Sequence, residues 1–368
     1  MRVSYEINLV STLAIICLIS CSERKGQEPI NRTRYYSKLT GIISPYLEYN
    51  PRGEISEDSI QFFNHYKVVS GKGGELQEIA YFVNGRPSNG SYYGTHKVSY
   101  EYSDSTMVRT YHDNRDRKSN LWRHYYLGGN IHKEVFYLDS GGNKSKLILL
   151  DSLDKRVSTD LGAYEYQWQT LSDTAFVQKQ FDIYGQPNIL TNYFPFYTSK
   201  ITIDDKGDLY GIYNVNDTDQ SIEMNRSTGY AKVVFDFDMH GNEMGWEFQD
   251  TEGNLVNRSP IENTDYGYAQ WLYENNVWGD RKKGLLKYFE QNLYNASGKP
   301  ANDNDSIHKT TYFLNDNFQL DSILRYNRHG IPQGNMSTKI FKTEFEYDQD
   351  GNRVGVVDYD IDGNVIER

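Results

Sequence analysis

The sequence predicts an all-β chain, an antiparallel meander of short strands in a repeat array that forms an open or partly coiled sheet. Three observations carry that expectation. A turn of the form Asp/Asn-x-x-Gly recurs ten times, aromatic residues alternate with polar ones beside it, and the chain holds 32 Tyr, 16 Phe and 30 Gly but only 9 Pro. Aromatic side chains favour strands and tolerate a partly wet face, while Gly without much Pro marks tight turns rather than a stiff stalk.

The turns come first because a recurrent unit has to be recognised before any motif is interpreted. YDQDGN (347–352) is followed twelve residues later by YDIDGN (359–364), and FDMHGN (237–242) by QDTEGN (249–254). YNPRGE (49–54), LDSGGN (138–143), FDIYGQ (181–186), IDDKGD (203–208), YNASGK (294–299) and YNRHGI (326–331) complete the set. Asp or Asn can start such a turn by bonding to its own backbone two residues on, and Gly then supplies a positive φ. The repeat-turn residues are best defined as Asp238 with Gly241, Asp250 with Gly253, Asp348 with Gly351, and Asp360 with Gly363. Successive motif glycines are separated by multiples of eleven to within one residue. Eleven is about one strand plus one tight turn, so a hairpin is expected roughly every twenty-two residues.

The strands follow from period-two patterning. Phe235 and Phe237, Phe345 and Tyr347, Tyr100 and Tyr102, and Tyr164, Tyr166 and Trp168 each place their rings on one face of an extended segment. KGLLKYFEQNLYN leads into the turn at Gly298 and reads as a strand as well.

The N-terminal segment is different in kind. After Arg2, residues 7–19 are mostly apolar, too short for a comfortable membrane span and of the length of a signal-peptide core. LISC (18–21) follows directly and resembles the lipobox of bacterial lipoproteins. That resemblance implies cleavage before Cys21, a diacylglyceryl group on its thiol and an anchor in the membrane of the cell envelope. Ser22 in the next position implies the outer membrane. The expected organisation is then a signal peptide over 1–20, a polar tether over 21–34 and the repeat array over 35–368. A subdivision can be drawn near 258–267, where the register of turns is less clear. Cys17 and Cys21 are the only cysteines, so disulfides play no part in the mature chain.

The turn array resembles the YD-repeat (RHS-like) family, in which Tyr-Asp-x-x-Gly-[Arg/Asn] units build a long coiled sheet. Tyr347-Asp348-Gly351-Asn352 and Tyr359-Asp360-Gly363-Asn364 match that unit best, and Phe237-Asp238-Gly241-Asn242 matches with Phe for Tyr. The Arg that often follows the glycine is missing from all ten copies, and shell-forming members are far longer, so a closed cage is not expected here. MORN-like repeats are a looser resemblance, present only in fragments of a Gly-Tyr pattern. A short array ends in open or capped edges, which are natural places for partners.

The chemistry legible in the sequence is thin. A formal net charge of -11 argues against nucleic acid, which needs a Lys/Arg excess to displace counterions. Asp358, Asp360 and Asp362 ahead of Gly363 imitate the start of an EF-type calcium loop. The sequence stops at the eleventh position, before the bidentate carboxylate such a loop requires at the twelfth, and the sister copy places Val357 there. Plain turns are therefore expected, with calcium as the alternative and no other cofactor. The eight histidines form no zinc spacing, and SGKGGE (70–75) lacks the first glycine of a phosphate loop. Gly-x-Ser-x-Gly is absent, and nothing singles out a carboxylate pair among 50 Asp and Glu. Five tryptophans fit an aromatic core or a sugar platform, and QWLYENNVWGD (270–280) is the candidate glycan site, with Trp271, Tyr273 and Trp278. The sequence thus points to a lipid-anchored envelope protein with a non-catalytic module that binds an unidentified protein or glycan. A glycan-binding lipoprotein of a polysaccharide-uptake system and, third, a carbohydrate-active enzyme are the alternatives.

Overall fold

A computed structural model describes residues 32–40, 43–91, 93–121, 128–191, 193–258, 267–277, 286–317, 319–349 and 351–367. Among them lie twenty-two β-strands and one short 3-10 turn, Glu57–Phe62. Arg32–Thr40 sits between Asn50–Ile55 and His65–Ser70, and its first residues fall within the span expected to be tether. From His65–Ser70 the strands pair antiparallel in chain order as far as Val365–Ile366, with the two-residue strand Arg86–Pro87 added at the end of Leu76–Val83. The result is one meandering sheet, not closed on itself. It runs unbroken past the subdivision drawn near 258–267, because Glu243–Gln249 pairs directly with Gln270–Val277.

The eleven-residue step is visible in the strand starts, which fall at Lys133, Lys144, Glu165, Ala175, Thr198, Leu209, Lys232 and Glu243. Each hairpin takes about one step, and each return to the next hairpin takes about two. Hairpins therefore recur about every thirty-three residues rather than the expected twenty-two. The extra length is a second turn that folds back as an isolated bridge on the strand it has just left, as at Leu150–Arg156, Phe181–Pro187, Gln249–Leu255 and Tyr326–Pro332. One expected turn is absent. YNPRGE falls largely within the strand Asn50–Ile55, where Arg32–Thr40 supplies the backbone partners and tertiary pairing overrides a local turn preference.

One face of the sheet forms the core. Val98 and Tyr100, Met107 and Tyr111, Leu147 and Leu149, Tyr166 and Trp168, Val233 and Phe235, and Trp246 and Phe248 are buried at period two. Twist accumulated over so many strands curls the sheet, and the curl brings the tight turns of late hairpins onto the first strands. Arg52 Nη2 donates to Asp208 Oδ2 at 2.7 Å and to the Lys206 carbonyl at 2.8 Å. The Asn89 N–H reaches Asn352 Oδ1 at 3.3 Å, and the Asn64 amide donates to the Asn317 carbonyl.

The segment 43–49 plugs the inside of this curl. Tyr46 stacks on Phe176 with ring centroids 4.0 Å apart, and its hydroxyl pairs with Thr170 Oγ1 at 2.7 Å. Glu48 meets Arg109, which is fully buried on the inner face of Thr106–His112. Arg109 Nη2 donates to Glu48 Oε2 at 2.7 Å and to the Leu47 carbonyl at 2.9 Å. Its Nη1 lies 3.6 Å from Glu134 Oε2, directly across the strand pair, and its guanidinium stands 4.7 Å from the Phe136 ring centre. Burial pushes the Glu48 carboxyl up, but Arg109 and Lys144 outweigh it and hold the group below the usual carboxylate range. Lys144, which donates to the Tyr46 carbonyl at 2.7 Å, is pushed down to about 8, chiefly by burial.

Candidate functional site

The curl leaves a cleft of about 620 Å³ where the first strands face the late turns. Ser37, Lys38 and Leu39 come from the N-terminal strand, Tyr66 and Tyr81 from the hairpin that follows. Gln319 and Asn352 come from turns, and Tyr347 and Arg353 from strand ends, more than two hundred residues further on. The tyrosine rings of Tyr66 and Tyr81 lie 4.6 Å apart, and the Tyr347 hydroxyl donates to the Leu320 carbonyl at 2.7 Å. Side-chain amides from Asn64, Asn89, Asn317, Gln319 and Asn352 complete the polar lining.

Two groups in the cleft are chemically distinctive. Gln319 is only 8% exposed; its Nε2 donates to the Gly351 carbonyl at 2.8 Å, which leaves its Oε1 buried without a hydrogen-bond partner. A buried acceptor of this kind carries a desolvation cost that a donating ligand would relieve. Lys38 is half-buried and donates to Asn242 Oδ1. Burial pushes its ammonium down to about 8, against the pull of Asp238 and Asp208. Those aspartates are committed elsewhere: Asp208 to Arg52, and Asp238 to its own turn, where its Oδ2 accepts from Asn242 Nδ2 at 2.8 Å.

The predicted turn residues share one geometry. Asp360 Oδ1 accepts the N–H groups of Asp362 at 2.9 Å and Asn364 at 2.8 Å, and Asn364 Nδ2 returns to Asp360 Oδ2 at 2.9 Å. Asp250 and Asn254 repeat this, and Asp238 and Asp348 accept from Asn242 and Asn352 in the same way. Gly241, Gly253, Gly351 and Gly363 all hold φ between 71° and 95°. Asn after the glycine is thus part of the turn, clamping the second carboxylate oxygen. The Asn364 side chain and then the backbone N–H groups hold Asp360 below the usual carboxylate range. Asp358 is not in the loop at all. It is buried in the strand Arg353–Tyr359, where its Oδ1 accepts from Thr343 Oγ1 at 2.8 Å, because period two turns it inward. Among the described residues no three His, Cys, Asp or Glu side chains form a metal-ligand set.

A pattern tied to glycine misses several turns. Asp113, Asp151 and Asp303 accept backbone N–H groups two and four residues on, but Asp116, Asp154 and Ser306 occupy the left-handed position. Asp tolerates that conformation better than most residues. Here it also has a use: Lys97 and Lys133, each opening a strand, pair with Asp116 and with Asp154. The legible signal was His-Lys at a strand start, in His96-Lys97, His132-Lys133 and His308-Lys309. Their ring Nδ1 atoms lie 2.8, 2.8 and 3.0 Å from the carbonyl oxygens of Tyr81, Ser119 and Ala301.

Of the candidate glycan residues, Trp271 and Tyr273 are not among the described residues that line the cleft. Trp271 packs against Trp246 with centroids 4.9 Å apart and edge-on to Tyr268 at 5.8 Å. It is partly buried and packs against the aromatic core, and the indole N–H groups of Trp246 and Trp271 are both buried without partners. Tyr273 meets Phe289 edge-on at 5.8 Å. Trp278, Cys21, the segment 1–20 and most of 258–267 lie outside the described residues. No helix among the described residues is long and apolar enough to cross a membrane.

The fold and cleft define the chain as a β-hairpin repeat protein. No family model matches it, and no curated protein does. Among solved structures it is weakly similar to the Photorhabdus luminescens Tc holotoxin pore carrying the TccC3-D651A mutation, at 12% identity and a TM-score of 0.22, covering 85% of this chain and 17% of that one. A TcdB2-TccC3 crystal structure gives 11% identity, a TM-score of 0.18, and coverage of 82% and 21%. A putative 6-phosphogluconolactonase from Bacteroides fragilis gives 12% identity and a TM-score of 0.15, covering 90% of this chain and 96% of that one. This chain therefore spans about a fifth of the first two of those chains. At these TM-scores the likenesses bear on neither the family nor the role of this chain.

Proposed function

We propose that the chain is a lipid-anchored cell-envelope protein, placed at the outer membrane by Cys21, whose β-repeat coil is a non-catalytic binding module with the inter-layer cleft as its ligand site. The observation that carries this reading is the orphaned Gln319 Oε1, buried in a cleft otherwise lined by tyrosines and amides. An acceptor without a donor, beside aromatic faces, suits a ligand rich in hydroxyl groups, and a glycan is the class that best combines the two. The described lining includes no Asp, Glu, His or Cys to act as general acid, base or nucleophile, which favours binding over turnover.

The test uses the soluble form, residues 22–368, titrated calorimetrically with a panel of neutral and charged oligosaccharides. Saturable binding is expected, weakened about tenfold by Gln319→Leu, the loss of about one buried hydrogen bond. A panel that yields no binder to a folded, β-rich protein removes the glycan reading, and hydrolysis products would move it to the enzymes. Full-length protein should incorporate labelled palmitate and lose the label in Cys21→Ala; a label that persists refutes the anchor at that residue.

We infer further that the Asp-rich turns are complete without a cation, since the Asp360 and Asp250 carboxylates already accept three hydrogen bonds each from their own turn. The melting temperature is expected to stay constant across a calcium titration. A saturable rise would make these aspartates ligands.

A further inference from the structure

We propose a binding site beneath the Tyr193 ring, where the indole N–H groups of Trp246 and Trp271 take the acetamido carbonyl of an N-acetylated sugar. This rests on the reading of the chain as a glycan-binding module, and it extends that reading to residues that are not among the described cleft lining.

The inference starts from two donors that the fold leaves stranded. A buried tryptophan N–H ordinarily finds an acceptor, and Trp168 does: its Nε1 donates to Gln178 Oε1 at 2.9 Å. Trp246 and Trp271 do not, although Trp246 is only 8% exposed and both indole nitrogens are buried. They occupy directly paired positions on Glu243–Gln249 and Gln270–Val277, which puts both rings on one face of the sheet, with centroids 4.9 Å apart. Each unmet donor carries a desolvation cost, and phenylalanine would fill such a core without it. The way in is Tyr193, which is 40% exposed and stands edge-on to both indoles, at 6.1 and 6.4 Å between centroids. Its carbonyl accepts from the Tyr230 hydroxyl and its N–H donates to Thr191 Oγ1 at 3.2 Å, so the backbone is held while the ring can turn aside.

The surroundings select the kind of acceptor. Phe194 lies 5.1 Å from Trp246 and Tyr268 lies 5.8 Å from Trp271, both edge-on, so a group that meets the indoles also meets rings. A sugar hydroxyl there would accept from an indole but leave its own proton to be satisfied. A carboxylate would give up its hydration among aromatic side chains. An acetamido carbonyl is an acceptor alone, has lone pairs for two donors, and carries a methyl group that packs against the rings. Arg258 stands 5.8 Å from the Tyr193 ring centre, so an anion is the competitor that the test has to separate.

The experiment compares triacetylchitotriose with cellotriose, which differ only in acetamido against hydroxyl groups, on the soluble form isotope-labelled at its indole nitrogens. The acetylated sugar is expected to bind about tenfold more tightly and to shift two indole N–H resonances, those missing from Trp246→Phe and from Trp271→Phe. Each Phe variant keeps a ring and should weaken that binding about fivefold, the loss of one hydrogen bond. Should either variant melt early, the two resonances of the parent protein still decide. Equal affinity for the two sugars, or indole resonances that the acetylated sugar does not move, overturns the acetamido proposal; binding that Gln319→Leu weakens would still leave the glycan reading standing. An Nε-acetyl-lysine peptide or sodium acetate that moves the two resonances further than the sugar also overturns it, and assigns the site to acetylated peptides or to anions. Failure of both sugars to bind overturns it as well, and the glycan reading then stands or falls with the wider panel.

Discussion

Replacing Arg109 by methionine is expected to lower the unfolding free energy by about 3–5 kcal/mol, the cost of breaking a buried ion pair by removing one partner. Arg109 is fully buried, and two elements lean on it, the 43–49 plug and the strand Lys133–Leu138. It holds the carbonyls of the 43–49 plug, bridges to Glu48, and faces Glu134 across the strand pair. Without it, Glu134 keeps the Tyr111 hydroxyl as a partner but loses the facing positive charge. Urea unfolding of the variant measures the effect. The double variant Arg109→Met/Glu134→Leu should recover a large part of the loss, because an apolar pair of similar volume removes the uncompensated charge. A single variant as stable as the parent would show that the plug does not lean on this arginine. The same network gives a pH dependence. Glu48 is held below its unfolded value, so its contribution is complete above that value and disappears as pH falls through the lower folded one.

Phe248→Ala is the second large effect, with an expected loss of about 3–5 kcal/mol for an aromatic removed from a packed core. Phe248 has no exposed surface, and its ring lies 4.3 Å from Tyr230, 5.5 Å from Trp246 and 5.7 Å from Tyr268. Those contacts join the strand Glu243–Gln249 to the connections on either side of it, so the cavity cannot close without moving all three rings. Phe248→Leu should cost less than half as much, because most of the volume is kept. Equal losses for the two variants would place the effect in ring-specific contacts rather than in the cavity.

The turns and strands were legible because their causes are local. Asp238 and Gly241 form a turn from their own backbone preferences, and the alternation of Phe235 with Phe237 needs only the pleat of a strand. Local pattern failed in three places, each for a stated reason. At Asn50–Ile55, a neighbouring strand drew a turn sequence into the sheet. At Asp116, Asp154 and Ser306, the left-handed position was filled without glycine, twice by an aspartate that also pairs with a lysine. Asp358 looked like the first ligand of a loop but belongs to the strand before it, facing Thr343.

Trp271 shows the limit for function. An aromatic with amide neighbours reads the same whether it is a platform or a core residue, and its packing against Trp246 is set by the fold alone. The cleft was not legible at all. Lys38, Gln319 and Arg353 have no shared motif and no regular spacing, and nothing in their sequence neighbourhoods sets them apart.

The sequence by itself therefore determined the strand-and-turn alphabet, the eleven-residue step and the aromatic inner face, since each rests on backbone geometry and side-chain alternation within a few residues. Only the tertiary structure decided where the sheet meets itself, which segment plugs its interior and which side chains line the cleft. Those follow from twist summed over many strands: a small rotation at each pairing is invisible locally, yet together they bring Lys38 and Arg353 to the same cavity.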